Sequence, residues 1–474
     1  MGNGTSSSAT AMQNSMCRTN WNRVETMSEE CREIEIDPCS PLPLPGDIVE
    51  HRSSGGALVA VAPESVTWCV LTGELPATLF KKLCAGRTPE AAMQELACSA
   101  GPAATEKAIQ QVLVELDDKA FLSSHHSAPF RRYEHLKVNL TDECNLRCAH
   151  CYRFCAKARP GELPVDDWGR VVCEHASAGG TTISVAGGEP LCRLDDCLTL
   201  LTLAHDNGLQ SVLLTNGTLV SPSVAQRLSA VVDEVQVSLD GPTKEVSESV
   251  RGVGTWDRTI RAIHELVRRQ VLVRIAMTPL PATLGAFEQG ICDFLDYVTA
   301  TFGDNVVVQL GGIVLEGRNV AGCTGCAARS WDGKIAALRR KAFGDDYHAM
   351  LDAALLEPHV RRATCGYAAS FFVEPDGTVL PCDLCPQTAL GTVAADPRSE
   401  LEERLRSAAH RVSVDASPVC RECDLRYICG GTCRIEDEQS HGDPLQPSCD
   451  RSFKQGLIDR LADMNKYRYE IDEP

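Results

Sequence analysis

Cys144-Asn145-Leu146-Arg147-Cys148-Ala149-His150-Cys151-Tyr152 is the stretch on which the fold turns. Its cysteines are spaced Cys-x3-Cys-x2-Cys, and it directly follows the β-rich run Leu136–Leu140. Three thiolates in so short a loop can hold three irons of a [4Fe–4S] cube and leave the fourth iron an open coordination site. A zinc loop is the competing reading. It needs a fourth ligand nearby, which Cys155 can supply.

Further β-rich runs follow at Thr182–Ala186, Gln210–Thr215, Glu234–Leu239, Leu272–Met277 and Val306–Leu310, separated by helical stretches. This alternation predicts a parallel sheet of βα units, with chemistry gathered at the C-terminal ends of the strands. After the second run stands Gly187-Gly188-Glu189-Pro190. Alone it is an ordinary glycine turn. At the same strand end as the cysteines, it offers backbone amides and a carboxylate to an amino-acid-like ligand.

Together with Thr215-Asn216-Gly217 and Ser238-Leu239-Asp240-Gly241-Pro242 at the next two strand ends, these motifs resemble the radical S-adenosylmethionine enzymes over about residues 134 to 320. The resemblance implies an α/β fold with a partial (β/α)6 barrel. It also implies an open iron that chelates S-adenosylmethionine, a 5′-deoxyadenosyl radical as product of its cleavage, and a reductant such as flavodoxin or ferredoxin. By position, Cys144, Cys148 and Cys151 hold the cluster, and Gly188 and Glu189 meet the amino end of the cofactor. Asn216 lies near the ribose, while Ser238 and Arg251 bind the cofactor, with Arg251 suited to its carboxylate.

A second array is C-terminal: Cys365, Gly377-x4-Cys382, Cys420-x2-Cys423-x5-Cys429-x3-Cys433 and Cys449. Seven thiols exceed one site, so two metal centres are expected, with zinc ribbons as the structural alternative. Regular periodicity fades from Cys365 onward, which suggests that metal rather than hydrophobic area organises residues 365–450. The spacing resembles the SPASM extension of radical enzymes that act on peptides and proteins. The resemblance implies one auxiliary [4Fe–4S] cluster on Cys420, Cys423, Cys429 and Cys449. A second falls to Cys365, Cys382 and Cys433, making three clusters in all. The fourth ligand of that second cluster is left open; Cys323, Cys326 and Cys385 are the candidates. Asp383 matches the proton acceptor of sulfatase-maturing relatives and is a candidate general base.

Residues 42–125 read as a small winged-helix-like α+β module. Strand-like runs near Ile48–His51 and Ala57–Ala62 precede helical segments near Pro76–Cys84, Pro89–Ala97 and Glu106–Asp117. Thr88-Pro89-Glu90 is a good helix start, because Thr caps and Pro fits the first turn. The module resembles the leader-peptide recognition domain of ribosomal-peptide maturases, shared with the stand-alone chaperone of pyrroloquinoline quinone assembly. The resemblance implies that an extended leader adds as a strand to an exposed sheet edge. Residues 1–41 read as a disordered polar tail, 321–364 as a bridging region and 451–474 as a C-terminal helix and tail.

Composition sets outer limits. In 474 residues, a formal charge of −18 argues against nucleic acid and anionic membrane surfaces as partners. Without a secretion-like start, the 24 cysteines read as ligands and reactive thiols in the cytoplasm rather than disulfides. The expected activity is oxidative modification of a ribosomally made precursor peptide by a thioether or other crosslink. A sulfatase-maturase-like enzyme and a non-catalytic iron–sulfur or zinc scaffold are the alternatives.

Overall fold

Six strands run parallel in the order 306–310, 272–277, 234–238, 210–215, 182–186 and 135–139, each paired with the next. These belong to a computed structural model that describes residues 36–119, 121–122, 128–129, 133–312, 317–320, 333–344 and 359–470. Most of the expected tail, most of the linker after residue 122, and Cys17, Cys31, Cys323 and Cys326 lie outside the described residues.

The strands form where the sequence alternates. Gln210–Thr215 and Leu272–Met277 bury every second side chain, the period of a pleated strand. Leu136, Val138, Ile183, Val185, Leu213, Val235, Val237, Val273 and Ile275 share one core with Trp168, Leu200, Leu201, Ile263, Phe287 and Ile291 of the intervening helices. Among those helices, Pro222–Leu228 starts where Ser221 caps it, its Oγ accepting from the Val224 N–H at 3.2 Å. The fold is the α/β barrel arrangement expected.

The C-terminal segment departs from expectation. Phe371–Val373 pairs parallel with His135–Asn139, and Thr378–Leu380 and Gly391–Thr392 add antiparallel strands, extending the sheet to nine. Phe371, Val373, Val379, Leu401, Leu405 and Ala408 are buried in the barrel core. Hydrophobic area therefore organises the first half of the cysteine-rich segment. The sequence hid this because each of these strands is only two or three residues long, too short for a period to show.

At the N-terminus, Val49–Arg52, Leu58–Ala62 and Thr67–Leu71 form an antiparallel sheet, followed by helices Glu74–Cys84, Pro89–Ala100 and Pro102–Asp118. Thr88 caps the second helix, accepting from the Ala91 N–H at 3.2 Å. Leu58–Ala62 and Thr67–Leu71 are buried at every position. One face meets the domain's own helices through Leu58, Ala60, Ala62, Cys69 and Leu71. The other face packs against the C-terminal helix Arg451–Glu470 and the loop around Tyr427. Burial on both faces is why Thr67–Leu71 shows no alternation in the sequence.

Candidate active site and iron–sulfur centres

The cysteine loop leaves the strand His135–Asn139 at its C-terminal end and is pinned from three sides. Ala149 N–H donates to Val250 O at 2.8 Å, Asn319 N–H to Ala149 O at 2.8 Å, and Arg318 Nη2 to Cys155 O at 2.7 Å. From the neighbouring strand end, Gly188 N–H donates to Thr141 O at 2.6 Å and Glu189 N–H to Glu143 O at 2.8 Å. A Cβ on Gly188 would stand 2.3 Å from Glu143 O, so only glycine lets the two loops meet this closely.

Burial pushes the Cys144 thiol up to about 11 and raises Cys148 as well, partly offset at Cys148 by the Arg251 guanidinium. Cys151 is shifted the other way, down, chiefly because the Cys155 thiol donates to it. Cys148 is close enough to raise Cys144 electrostatically, and Cys151 to raise Cys148. Three neighbouring thiols in one short loop fit a three-cysteine cluster.

Glu189 is fully buried, and its carboxylate accepts from Thr215 Oγ1 at 2.7 Å, Asn216 N–H at 2.8 Å and Leu191 N–H at 3.1 Å. It therefore binds two strand ends together. Burial pushes its carboxyl up, while these donors pull it back. Asn216 Nδ2 reaches the cysteine loop, donating to Asn145 Oδ1 at 2.9 Å. Ser238 closes its strand half-buried.

Arg251, the last residue of helix Lys244–Arg251, places Nε 2.6 Å from Asp240 Oδ2 and Nη1 4.0 Å from Cys148 Sγ. His150 Nε2 is 3.1 Å from the same Asp240 oxygen. Burial alone would raise the Asp240 carboxyl; Arg251 and His150 overcome it and hold the group at about 2. In the sequence Asp240 is one residue of the Ser238–Pro242 motif, and only the structure makes it the anchor of Arg251 and His150.

The C-terminal thiols divide into two neighbourhoods. Cys382 is raised by burial and further by nearby Cys433 and Cys365; Cys429 is raised by burial and by Cys449, Cys420 and Cys423. Among the described residues no three His, Cys, Asp or Glu side chains converge as for a single metal ion. Cys385 is buried, its thiol 3.0 Å from Thr388 Oγ1 and its N–H donating to Cys382 O at 3.0 Å.

Asp383 sits where the added hairpin meets the barrel. Lys137 Nζ donates to Oδ2 at 2.6 Å, Tyr152 OH to the same oxygen at 2.5 Å, and Asn139 Nδ2 to Oδ1 at 3.3 Å. Burial works to raise this carboxyl, but Lys137, Tyr152 and Arg153 hold it below its ordinary range. Beside it, buried Glu374 accepts both Arg153 Nη atoms, at 2.9 and 2.8 Å, Asn139 Nδ2 at 3.0 Å and Arg159 Nη2 at 2.8 Å. Arg153 and Arg159 also reach Asp142. Sequence reasoning missed Lys137, Asn139, Arg153 and Glu374, because they meet only once the hairpin joins the sheet.

Several known proteins are similar to this chain. The AdoMet-dependent heme synthase of Methanosarcina barkeri is 28% identical over 344 residues, covering 65% of this chain and 94% of that protein. The PqqA peptide cyclase of Ruegeria pomeroyi is 28% identical over 339 residues, 66% of this chain and 86% of its own. The mycofactocin maturase MftC of Mycobacterium tuberculosis is 38% identical over 133 residues, 28% of this chain and 34% of its own. In fold, native anSMEcpe with bound AdoMet matches with a TM-score of 0.56 at 20% identity, over 71% of this chain and 99% of its own. Streptococcus suis SuiB bound to precursor peptide SuiA matches with a TM-score of 0.52 at 15% identity, over 86% of this chain and 98% of its own. The family model described as the Radical SAM superfamily matches residues 138–289, the span that carries Cys144, Cys148, Cys151, Glu189, Asp240 and Arg251. Residues 138–289 of this chain are a radical S-adenosylmethionine domain.

Proposed function

We propose that this chain is a radical S-adenosylmethionine peptide maturase that oxidatively modifies a ribosomally made precursor peptide. The observation that carries the reading is the joining of the Cys382–Asp383 hairpin to the edge of the barrel sheet beside the strand that feeds the cysteine loop. It brings Asp383, the neighbour of Cys382, against Lys137 and Asn139 of that strand and Tyr152 of the cysteine loop. The PqqA cyclase and MftC likenesses support a peptide substrate, and a thioether or other crosslink is the product class.

Bound at Cys144, Cys148 and Cys151, the cluster and S-adenosylmethionine supply a radical that abstracts hydrogen. The chain's own residues hold, orient and shield. Gly188 and Glu189 fix the loop where the amino end of the cofactor binds, Asn216 and Ser238 border it, and Arg251, braced by Asp240, offers a cation for its carboxylate. Cys420, Cys423, Cys429 and Cys449, and Cys365, Cys382 and Cys433, would hold auxiliary clusters, which would supply acceptors for the electrons of the oxidation. A flavodoxin or ferredoxin serves as reductant, and the setting is the cytoplasm. Anaerobic reconstitution is expected to give about twelve irons per chain and reductive cleavage of S-adenosylmethionine. A zinc-loaded protein with about four irons would sink the auxiliary assignment.

Residues 42–125 serve as the recognition domain. The outer edge of Thr67–Leu71 is partly closed by its own chain: Val70 N–H donates to Glu115 Oε1 at 2.8 Å, and the adjoining Val66 O accepts from His359 N–H at 2.6 Å. Val49–Arg52, exposed at three of its four residues, is the edge left for an extended leader.

Asp383 is the proton acceptor, reached through the Tyr152 hydroxyl, which donates to it from a side chain 44% exposed. Asp383→Asn and Tyr152→Phe, each co-expressed with a precursor peptide from the neighbouring genes, are expected to lower product at least tenfold while cofactor cleavage persists. Wild-type product from Asp383→Asn would remove the acceptor role and with it the sulfatase-maturase comparison.

A further inference from the structure

We infer that the N-terminal domain is a wall of the iron–sulfur site formed by Cys420, Cys423, Cys429 and Cys449, with His51 as a positioning residue for that site through Asp424. This rests on the auxiliary cluster proposed above.

Val59, Val61, Trp68 and Val70, each no more than 2% exposed, point from the sheet away from the domain's own helices. They share a core with Leu425, Tyr427, Ile428, Leu457, Ile458, Leu461, Ala462 and Cys420 itself, and Cys423 and Cys429 pack against it. A small domain buries one face of its sheet to fold; this one buries both, and the second face is filled by the loops that carry the ligands.

The polar rim follows the same line. His51, on the edge strand, hydrogen-bonds through Nε2 to the carboxylate of Asp424, the residue next to Cys423. Ser54 N–H and Oγ donate to Asp459 at 2.6 and 2.7 Å, Arg426 Nη2 to Glu64 at 2.6 Å, and Gln455 Nε2 to Arg52 O at 3.0 Å. Asp424, Arg426, Gln455 and Asp459 lie between or just beyond the ligand cysteines 423, 429 and 449. A cluster's potential follows the burial and hydrogen bonding of its sulfurs, so the domain that supplies the apolar wall also sets the redox environment. Its edge strand carries both the backbone proposed for a peptide, closed at Arg52 O by Gln455, and the side chain that grips Asp424.

The test uses the full chain with Cys144, Cys148 and Cys151 replaced by Ala, which leaves about eight irons on the two auxiliary clusters. Electron paramagnetic resonance during a redox titration reads each cluster, and the Cys449→Ser change identifies the signal of this site. His51→Ala is expected to shift the line shape and midpoint of that signal alone, and His51→Lys, which keeps an N–H donor against Asp424, to restore them. Val61→Asp, which charges the interface but leaves the domain's own core intact, is expected to lose about four of the eight irons. If amide exchange across residues 457–462 shows the interface opened by Val61→Asp while irons and both signals stay as in the parent, the inference is overturned. Unchanged signals in His51→Ala overturn the role of His51. A parent without a second auxiliary signal overturns the cluster reading itself, before any interface substitution is made.

Discussion

Replacing Cys144, Cys148 and Cys151 together by Ala is expected to bring reductive cleavage of S-adenosylmethionine down to the uncatalysed background and to remove about four irons per chain. Among the described residues the loop has no substitute ligand set. Cys155 lies against Cys151 and Cys192 near Cys144, but two thiols cannot replace three at the corners of one cube. The loop's anchors are backbone bonds from Gly188, Glu189 and Ala149, which Ala substitution leaves in place. The barrel is therefore expected to keep its circular-dichroism spectrum and the auxiliary irons to remain. Measurable cleavage in the triple variant would mean that the cofactor binds at the C-terminal array instead.

Glu374→Ala is expected to destabilise the protein by about 3–5 kcal/mol, the range for breaking a buried ion pair from one side. Glu374 is 4% exposed and accepts from two guanidinium groups and an amide. Without it Arg153 keeps Asp142 and a distant Asp383 oxygen at 3.7 Å, and Arg159 keeps Asp142 and Asp376. Because Arg153 lies two residues beyond Cys151 and Glu374 eight before Cys382, this pair ties the cofactor loop to the auxiliary hairpin. Cleavage of S-adenosylmethionine without product is the expected companion effect. Denaturant unfolding of wild type and variant measures the first; a difference under 1 kcal/mol would show that the pair is not an anchor.

The N-terminal domain illustrates how far the sequence reaches. Its helices are legible because Thr88-Pro89 marks a start and apolar residues recur at helical spacing. From sequence it reads as a separate unit on a linker. The structure shares its sheet with the C-terminal helix, so removing it would expose Leu457, Ile458 and Leu461. The unbroken apolar run Leu58-Val59-Ala60-Val61-Ala62 fits burial on both faces, but nothing in it says that the second cover comes from a helix nearly 400 residues away.

By itself the sequence determined what local chemistry can determine: the strand and helix periods, the three-cysteine loop, the glycines that let Gly187-Gly188 approach it, and the thiols available to metal. Those follow from spacing within a few residues. Only the tertiary structure decided which groups meet across the chain. Asp240 turned to brace Arg251 and His150, Asp383 was locked by Lys137 and Tyr152, and Glu374 was set between Arg153 and Arg159. A buried carboxylate is stable only where cations and donors converge on it, and that convergence is a property of packed strand ends.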